Sequence, residues 1–178
     1  MGGAIFFAME QNIKNKEPDL YLIHPGYIYV ATDHTSISSV LGSCVSVSIH
    51  DRKMKIGGMN HFYFPEIKER DKCTAQYGNI ATIMLIKMMV EKGSDIKHLE
   101  AQIFGGAYNA AVSDLDIGNR NAIVARNILN KKRIPIVSED VGGKMGRKVV
   151  FDTYKNEIAV LKVEKLRTSD WYPYEGKR

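Results

Sequence analysis

The clearest pattern in the chain is the alternation of apolar and polar residues between Val45 and His50. A period of two is typical of a strand that buries one face. A polar, turn-prone break follows at residues 51–54, and a second extended stretch runs from Lys55 to Phe64. The pattern therefore predicts a β-hairpin in this part of the chain.

The position of the turn sets the pairing of the two strands. If residues 51–54 form the turn, His50 faces Lys55 and Cys44 falls directly opposite His61. Directly opposed residues share a face of the sheet, with Cβ atoms about 4.5–5.5 Å apart, whereas a slip of one residue sends a side chain to the other face. The predicted register thus brings a thiol within reach of an imidazole.

Two helices and further strands are predicted outside the hairpin. Residues 78–92 carry little polar surface and predict a helix that packs on a sheet or between layers, and residues 116–132 predict a second helix with one apolar stripe. Strands are predicted at residues 27–31, 99–104, 136–141, 148–153 and 157–163, and a polar loop at residues 32–39. Many strands with two helices predict an α+β layered domain rather than an alternating, doubly wound sheet.

Length and composition fit one globular domain. The chain has 178 residues, and domains near this size bury roughly 70% of their unfolded surface. Its two cysteines make no disulfide framework, so Cys73 is predicted to be a free thiol and the location to be cytoplasmic. No apolar run approaches the roughly 20 residues that cross a bilayer. We predict a single domain over residues 1–178, with an N-terminal arm at 1–20 and a C-terminal tail at 164–178.

The net charge of +5 narrows the class of partner. A basic chain favours nucleic acid, an anionic membrane or an acidic protein. The positive residues are scattered and no aromatic-plus-basic module is present in the sequence, so nucleic-acid binding is not predicted. The loop with Lys144, Arg147 and Lys148 either grips an acidic protein or forms a solvated hairpin tip. The charge pattern leaves both interpretations open.

The residues around Cys44 and His61 suit nucleophilic catalysis. The thiolate is the nucleophile, and a free thiol with a pKa of about 8.5 is mostly protonated at neutral pH. A neighbouring imidazole takes that proton and later passes it to a leaving group. The small residues Gly42 and Ser43 let a substrate carbonyl approach the backbone, where amides near Cys44 hold a developing oxyanion. The alternative is an inert cysteine in an apolar strand, which is the commoner state of a free thiol.

A third group usually orients such a histidine. Three serines lie just upstream of the cysteine, namely Ser36, Ser38 and Ser39. Their position along the chain leaves the choice among them open.

Several motifs follow one another in a recognisable order. They are L-G-S-C-V-S-V at Leu41–Val47, G-G-M-N-H-F-Y-F-P at Gly57–Pro65, I-F-G-G-A at Ile103–Ala107, I-G-N-R-N at Ile117–Asn121 and D-V-G-G-K-M-G-R-K-V-V-F-D-T at Asp140–Thr153. Together they resemble the CheD family of chemoreceptor glutamine deamidases from bacterial and archaeal chemotaxis. The resemblance covers residues 25–163, most of the chain.

The resemblance implies an activity and its residues. It implies a cysteine-dependent amidohydrolase that converts particular chemoreceptor glutamines to glutamates without a metal or cofactor. Cys44 matches the family's nucleophile and His61 its general base. The family's third residue is typically a threonine six positions before the cysteine, which here is Ser38, so the resemblance implies that Ser38 orients His61.

The resemblance also implies a fold and partners. The fold is a three-layer α/β/β sandwich of two mixed sheets with two main helices, similar to other cysteine hydrolases with the toxin-deamidase fold. Methyl-accepting chemotaxis receptors are the implied substrates, and a CheC-like phosphatase is the implied partner. Some members of the family are also credited with hydrolysing receptor methyl esters. No membrane insertion is expected. The alternative function is a non-catalytic docking or regulatory partner of such a phosphatase or of receptors.

Overall fold

A computed structural model describes residues 18–108, 110 and 114–164, apart from the side chain of Arg70. The strands in these ranges are β1 (Asp19–Leu22), β2 (Tyr27–Ala31), β3 (Thr35–Leu41), β4 (Val45–Asp51), β5 (Ile56–His61), β6 (Leu99–Gly105), β7 (Ile136–Val141), β8 (Gly146–Asp152) and β9 (Glu157–Val163). The helices are α1 (Gly78–Glu91) and α2 (Ile117–Lys131), and short 3₁₀ turns lie at Arg70–Lys72 and Ile96–His98.

The strands form two mixed sheets. One sheet has four strands in the order β1-β3-β8-β9, and the other has five in the order β2-β5-β4-β6-β7. The pairs β1–β3 and β6–β7 are parallel, and the remaining neighbours are antiparallel. The prediction of an α+β domain with two mixed sheets and two main helices is therefore confirmed.

Two hydrophobic cores separate three layers. Both helices pack on the five-stranded sheet, where Val45, Val47 and Ile49 of β4 meet Leu85 of α1 and Leu129 of α2. The opposite face of that sheet packs on the four-stranded sheet through a second cluster, which contains Ile37, Leu41, Met59, Phe104, Val149 and Phe151. The alternation of β4 thus sends its apolar residues towards the helices and its polar residues between the sheets. Full burial of one such aliphatic side chain contributes about 1.5–3 kcal/mol.

Most predicted elements are confirmed to within a few residues. The helices predicted at 78–92 and 116–132 are observed at Gly78–Glu91 and Ile117–Lys131. The strands predicted at 27–31, 136–141 and 157–163 have the predicted bounds. Long apolar periodicity and short alternation were sufficient signals for these elements.

The predicted polar loop at residues 32–39 is wrong, because Thr35–Leu41 is strand β3. Its hydroxyl-rich sequence hides an alternation in which Ile37, Ser39 and Leu41 face the second core. Strand β1 was not predicted, and it includes residues 19 and 20 of the predicted arm. The rest of the arm and the tail beyond Glu164 lie outside the described residues.

The hairpin forms, but the predicted register is wrong by two residues. Asp51 is the last residue of β4 and pairs with Ile56, so the turn comprises residues 52–55. The Asp51 side chain accepts from the N–H groups of Lys53 and Met54 at 2.8 and 3.0 Å, which fixes the turn one residue later than expected. The pairing of Val45 with Phe62 places Cys44 opposite Tyr63. A shift of two residues preserves the face of every side chain.

The predicted basic loop contains one buried arginine. Arg147 is 2% exposed and donates to Asp140 at 2.9 Å and to the Gly142 carbonyl at 2.7 Å. Asp140 also pairs with Lys162 at 3.1 Å. Arg147 therefore holds β7 and β8 together and does not contribute to a partner-binding surface. Within the described ranges, no helix is long and apolar enough to span a bilayer.

Candidate active site

Cys44 lies in a three-residue loop between β3 and β4, at the edge of the space between the sheets. The loop is held from the β6 side, because the N–H of Gly106 donates to the Cys44 carbonyl and the N–H of Ala107 donates to the Gly42 carbonyl, both at 2.8 Å. The Cys44 side chain is half-buried and packs against the second core. Burial raises the pKa of the Cys44 thiol to about 11, an effect that its own backbone N–H partly opposes. The thiol is therefore protonated at neutral pH.

His61 ends β5 and lies fully buried between the two sheets. Its Nδ1 is 2.9 Å from the Ser39 Oγ of β3 and 3.5 Å from the Ile23 carbonyl oxygen. The Ser39 hydroxyl is itself 3.5 Å from the same carbonyl oxygen. The imidazole is therefore anchored on one side to the four-stranded sheet.

These contacts select one tautomer of His61. The Ile23 carbonyl is only an acceptor, so a lone pair on Nδ1 would face another lone pair. The favourable arrangement has Nδ1–H donating to the Ser39 oxygen while the Ser39 hydroxyl donates to the Ile23 carbonyl. The lone pair then lies on Nε2, which is buried and has no hydrogen-bond partner among the described residues.

The electrostatic surroundings keep His61 neutral. Burial lowers the pKa of His61 to about 4; the contact with the Ile23 carbonyl raises the pKa in part, and the charge of His24 lowers it further. The neutral imidazole has an Nε2 lone pair that can accept a proton, and its low pKa makes it a weak base in the resting site.

The thiol and the imidazole share the space between the sheets. Cys44 packs against the cluster that contains Met59 of β5, and His61 contacts β3 across the same space. No hydrogen bond joins Sγ to Nε2 in the described part of the chain. Catalytic hydrogen bonds often tighten only when substrate binds. The structure therefore places the two residues predicted from the sequence on the same face of the hairpin, with Cys44 two residues along the strand from the position opposite His61.

The structure places Ser39, and not the predicted Ser38, beside His61. Ser38 and Ser39 are neighbours in β3 and therefore point to opposite faces. Ser38 pairs with Val150 of β8 and with Leu22 of β1. The hydroxyl beside Nδ1 belongs to Ser39, so Ser38 does not orient the imidazole in this structure.

The carbonyls of residues 42–44 all accept hydrogen bonds from other parts of the fold. The Gly42 and Cys44 carbonyls accept from the loop after β6, and the Ser43 carbonyl accepts from the Asn121 side chain of α2 at 3.1 Å. No backbone carbonyl of the described residues accepts from the N–H groups of Gly42, Ser43 or Cys44. These N–H groups are therefore available to a substrate oxygen.

Two residues that contact this region were not found from the sequence as site residues. Asn60 accepts from the Val47 N–H at 2.8 Å, and Asn121 donates to the carbonyls of Ser43 and Tyr63. Asn121 lies on the buried stripe of α2 between Gly118 and Ala125, and a polar residue on an apolar stripe was a usable signal. Cys73 is exposed and free, as predicted. Among the described residues, no group of three or more His, Cys, Asp or Glu is placed to hold a metal ion.

The pKa of Cys44 gives a testable pH profile. In a Cys73→Ser background, we expect alkylation of Cys44 by iodoacetamide to rise about tenfold per pH unit up to a pKa of about 11. The rate would be followed by intact mass, with the variant that also carries Cys44→Ala as the blank. A rate that levels off near pH 7 would contradict the neutral thiol and indicate a thiolate–imidazolium pair at rest.

The fold and the site define an α+β two-sheet protein with a cysteine and a histidine between its sheets. Comparison with known families assigns it more narrowly: residues 64–162 match the model of the family described as "CheD chemotactic sensory transduction". This chain belongs to the CheD family. The matched segment begins after Cys44 and His61, so the assignment is independent of them.

Two relatives with similar sequences support the assignment. The chain is 40% identical over 131 residues to a "Probable chemoreceptor glutamine deamidase CheD 1" from Anaeromyxobacter dehalogenans, covering 72% of this chain and 76% of the relative. It is 37% identical over 147 residues to a "Probable chemoreceptor glutamine deamidase CheD" from Sulfurimonas denitrificans, covering 80% and 94%. A solved structure, the hypothetical protein YfiH from Bacillus licheniformis, aligns with a TM-score of 0.46 at 13% identity, covering 76% of this chain and 67% of that one.

Proposed function

We propose that this protein is a cysteine-dependent protein-glutamine deamidase that converts glutamines of chemoreceptors to glutamates. Membership of the CheD family supports the reaction and the substrate class. One observation of the structure carries the mechanism: His61 is anchored at Nδ1, and its Nε2, which has no partner among the described residues, lies in the same inter-sheet space as the Cys44 thiol.

The first half-reaction forms a thioester. Cys44 Sγ attacks the carbon of the glutamine carboxamide while its proton passes to His61 Nε2. Negative charge develops on the carboxamide oxygen, and the N–H groups of residues 42–44 stabilise it. His61 then donates the proton to the departing nitrogen, ammonia leaves, and the glutamyl group remains on Sγ.

The second half-reaction hydrolyses the thioester. Water loses a proton to His61 Nε2 and attacks the same carbon, and the C–S bond breaks as the thiolate regains the proton. The product is glutamate, and Cys44 and His61 return to their neutral resting forms. The contact of Nδ1 with Ser39 persists through both steps and keeps the exchangeable proton on the Nε2 side.

Mass spectrometry of a receptor fragment tests the function. After incubation with the wild-type chain, each modified glutamine should gain about one mass unit, and about three in ¹⁸O-water because hydrolysis adds one solvent oxygen. Cys73→Ser should retain the activity. If the glutamines remain unmodified after incubation with the folded wild-type chain, the result would contradict the proposal. The same assay on methylated receptors tests a second activity, in which methanol replaces ammonia as the leaving group.

We also propose the cytoplasm as the location and a CheC-like phosphatase as a regulatory partner, on the basis of family membership. If the protein is instead a non-catalytic docking partner, it should bind that phosphatase but should not deamidate receptors. Calorimetric titration of the chain with a CheC-like phosphatase, paired with the deamidation assay, separates the two. Absence of binding would remove the partner and leave the enzyme proposal intact.

A further inference from the structure

Asn121 joins the segment that carries the nucleophile to the segment that carries the base. This side chain of α2 is fully buried. Its Nδ2 donates to the Ser43 carbonyl at 3.1 Å and to the Tyr63 carbonyl at 2.8 Å. A carboxamide nitrogen has two hydrogens, so these two bonds use its whole donor capacity. Ser43 immediately precedes Cys44, and Tyr63 follows His61 by two residues.

The regular β4–β5 ladder does not hold these two segments by itself. The continuous pairs end at Ser48 and Met59, and at the next position the Val47 N–H donates to the Asn60 side chain instead of the backbone. Beyond that point the described backbone pairing of the two segments is the single bridge between Val45 and Phe62. Asn121 therefore supplies a second connection at the end of the hairpin that carries the site.

The acceptor atom of the Asn121 carboxamide, Oδ1, is buried and makes no corresponding hydrogen bond among the described residues. An unpaired buried acceptor is costly, so a side chain present only to fill space would be better apolar. The two donors are therefore the reason that an amide suits this position.

We infer that Asn121 is a positioning residue that sets the direction of the Cys44 N–H, an inference that rests on the proposed acyl transfer. The peptide unit between Ser43 and Cys44 is planar and trans, so its C=O and N–H point in opposite directions. Because Asn121 holds the Ser43 carbonyl towards α2, the Cys44 N–H points away from α2, towards the gap between the sheets. That N–H is then fixed where the oxyanion of the tetrahedral intermediate forms.

The start of α2 is itself held rigidly against this loop. Gly118 and Gly106 approach so closely that a Cβ on either would overlap the backbone of the other. The Asp116 side chain caps the helix by accepting from the Asn119 N–H at 2.8 Å. Gly106 also donates to the Cys44 carbonyl. The position of α2 and the orientation of the backbone at Cys44 are therefore fixed through the same residue.

Two reactions of Cys44 distinguish orientation of the N–H from general support of the fold. Acylation by p-nitrophenyl acetate passes through a tetrahedral oxyanion, whereas alkylation by iodoacetamide displaces iodide without one. In the Cys73→Ser background, we expect Asn121→Leu and Asn121→Ala to slow acylation at least about tenfold while alkylation changes less than about threefold. Both rates would be corrected with the Cys44→Ala variant.

The controls make each outcome decisive. Leu129→Ala removes a buried side chain of the same helix and should change both rates in parallel, by the folded fraction alone. Equal losses of acylation and alkylation in the Asn121 variants, or no loss of either, would overturn the inference. If Asn121→Leu does not fold, the smaller Asn121→Ala decides. Wild-type deamidation is measured separately, so a chain that acylates but leaves receptors unmodified refutes the proposed substrate and not the role of Asn121.

Discussion

We expect glutamine deamidation to fall at least about a thousandfold, and by about the same factor, in Cys44→Ala, in His61→Ala and in the double variant. The reason is that the thiol is protonated at rest, and in the proposed mechanism the imidazole of His61 accepts its proton. Removal of either leaves no nucleophile of useful strength, and removal of the second then costs little more. The measurement is the rate of conversion of receptor glutamine to glutamate by mass spectrometry, with unfolding curves to show that each variant is folded.

Two neighbouring serines provide the matched control. Ser39→Ala removes the acceptor of Nδ1–H and should lower the rate about ten- to a hundredfold. Ser38→Ala removes a hydroxyl on the other face of β3 and should leave the rate within about threefold. The reverse order of effects would restore the assignment made from the family's motif. Multiplicative losses in the Cys44 and His61 double variant would contradict a single cooperating pair.

Gly105→Ala is expected to destabilise the fold by at least about 3 kcal/mol. Gly105 ends β6 with a φ of +109°, a conformation that side-chain-bearing residues rarely adopt. A Cβ there would also overlap the Cys44 carbonyl oxygen, which is backbone and cannot rotate away. The measurement is urea denaturation followed by far-UV circular dichroism, and any folded fraction should have lost deamidation, because the Cys44 peptide must move.

Gly143→Ala separates strain from steric overlap. Gly143 also has a positive φ, +69°, but no atom lies within 4 Å of the position of its Cβ. Only the conformational cost of about 1 kcal/mol is therefore expected there, with deamidation retained. Equal stabilities of the two variants would contradict the close approach of β6 to the nucleophile loop.

Local patterns predicted most of the elements. The apolar run of α1, the stripe of α2 and the alternation of β4 are each determined by neighbours in sequence, because a helix or strand repeats its own geometry. β3 escaped prediction because its hydroxyl-rich residues gave no contrast between its faces; Ser39 is buried because a second sheet covers its face of the strand, and Ser38 is buried on the opposite face. A loop and a buried polar strand have similar composition, and only the packing partner distinguishes them.

In the hairpin, the sequence predicted the face of each side chain but not the register of the two strands. The predicted register was wrong by two residues because the Asp51 side chain captures the turn N–H groups, a local choice that alternation does not specify. The face of each side chain was still correct, since a shift of two residues preserves parity. Cys44 and His61 were therefore assigned to one side correctly, whereas their direct opposition was not.

By itself, the sequence determined the two helices, the strands with clear alternation, and the presence of a thiol and an imidazole on one face of a hairpin. Tertiary structure alone decided which serine contacts His61, which helix residue holds the Ser43 carbonyl, and that Arg147 is buried. The reason is physical: periodicity records which side of an element is buried, but a hydrogen bond between elements depends on how two sheets and a helix dock. Ser39 and Asn121 acquire their roles only when β3 and α2 meet the hairpin.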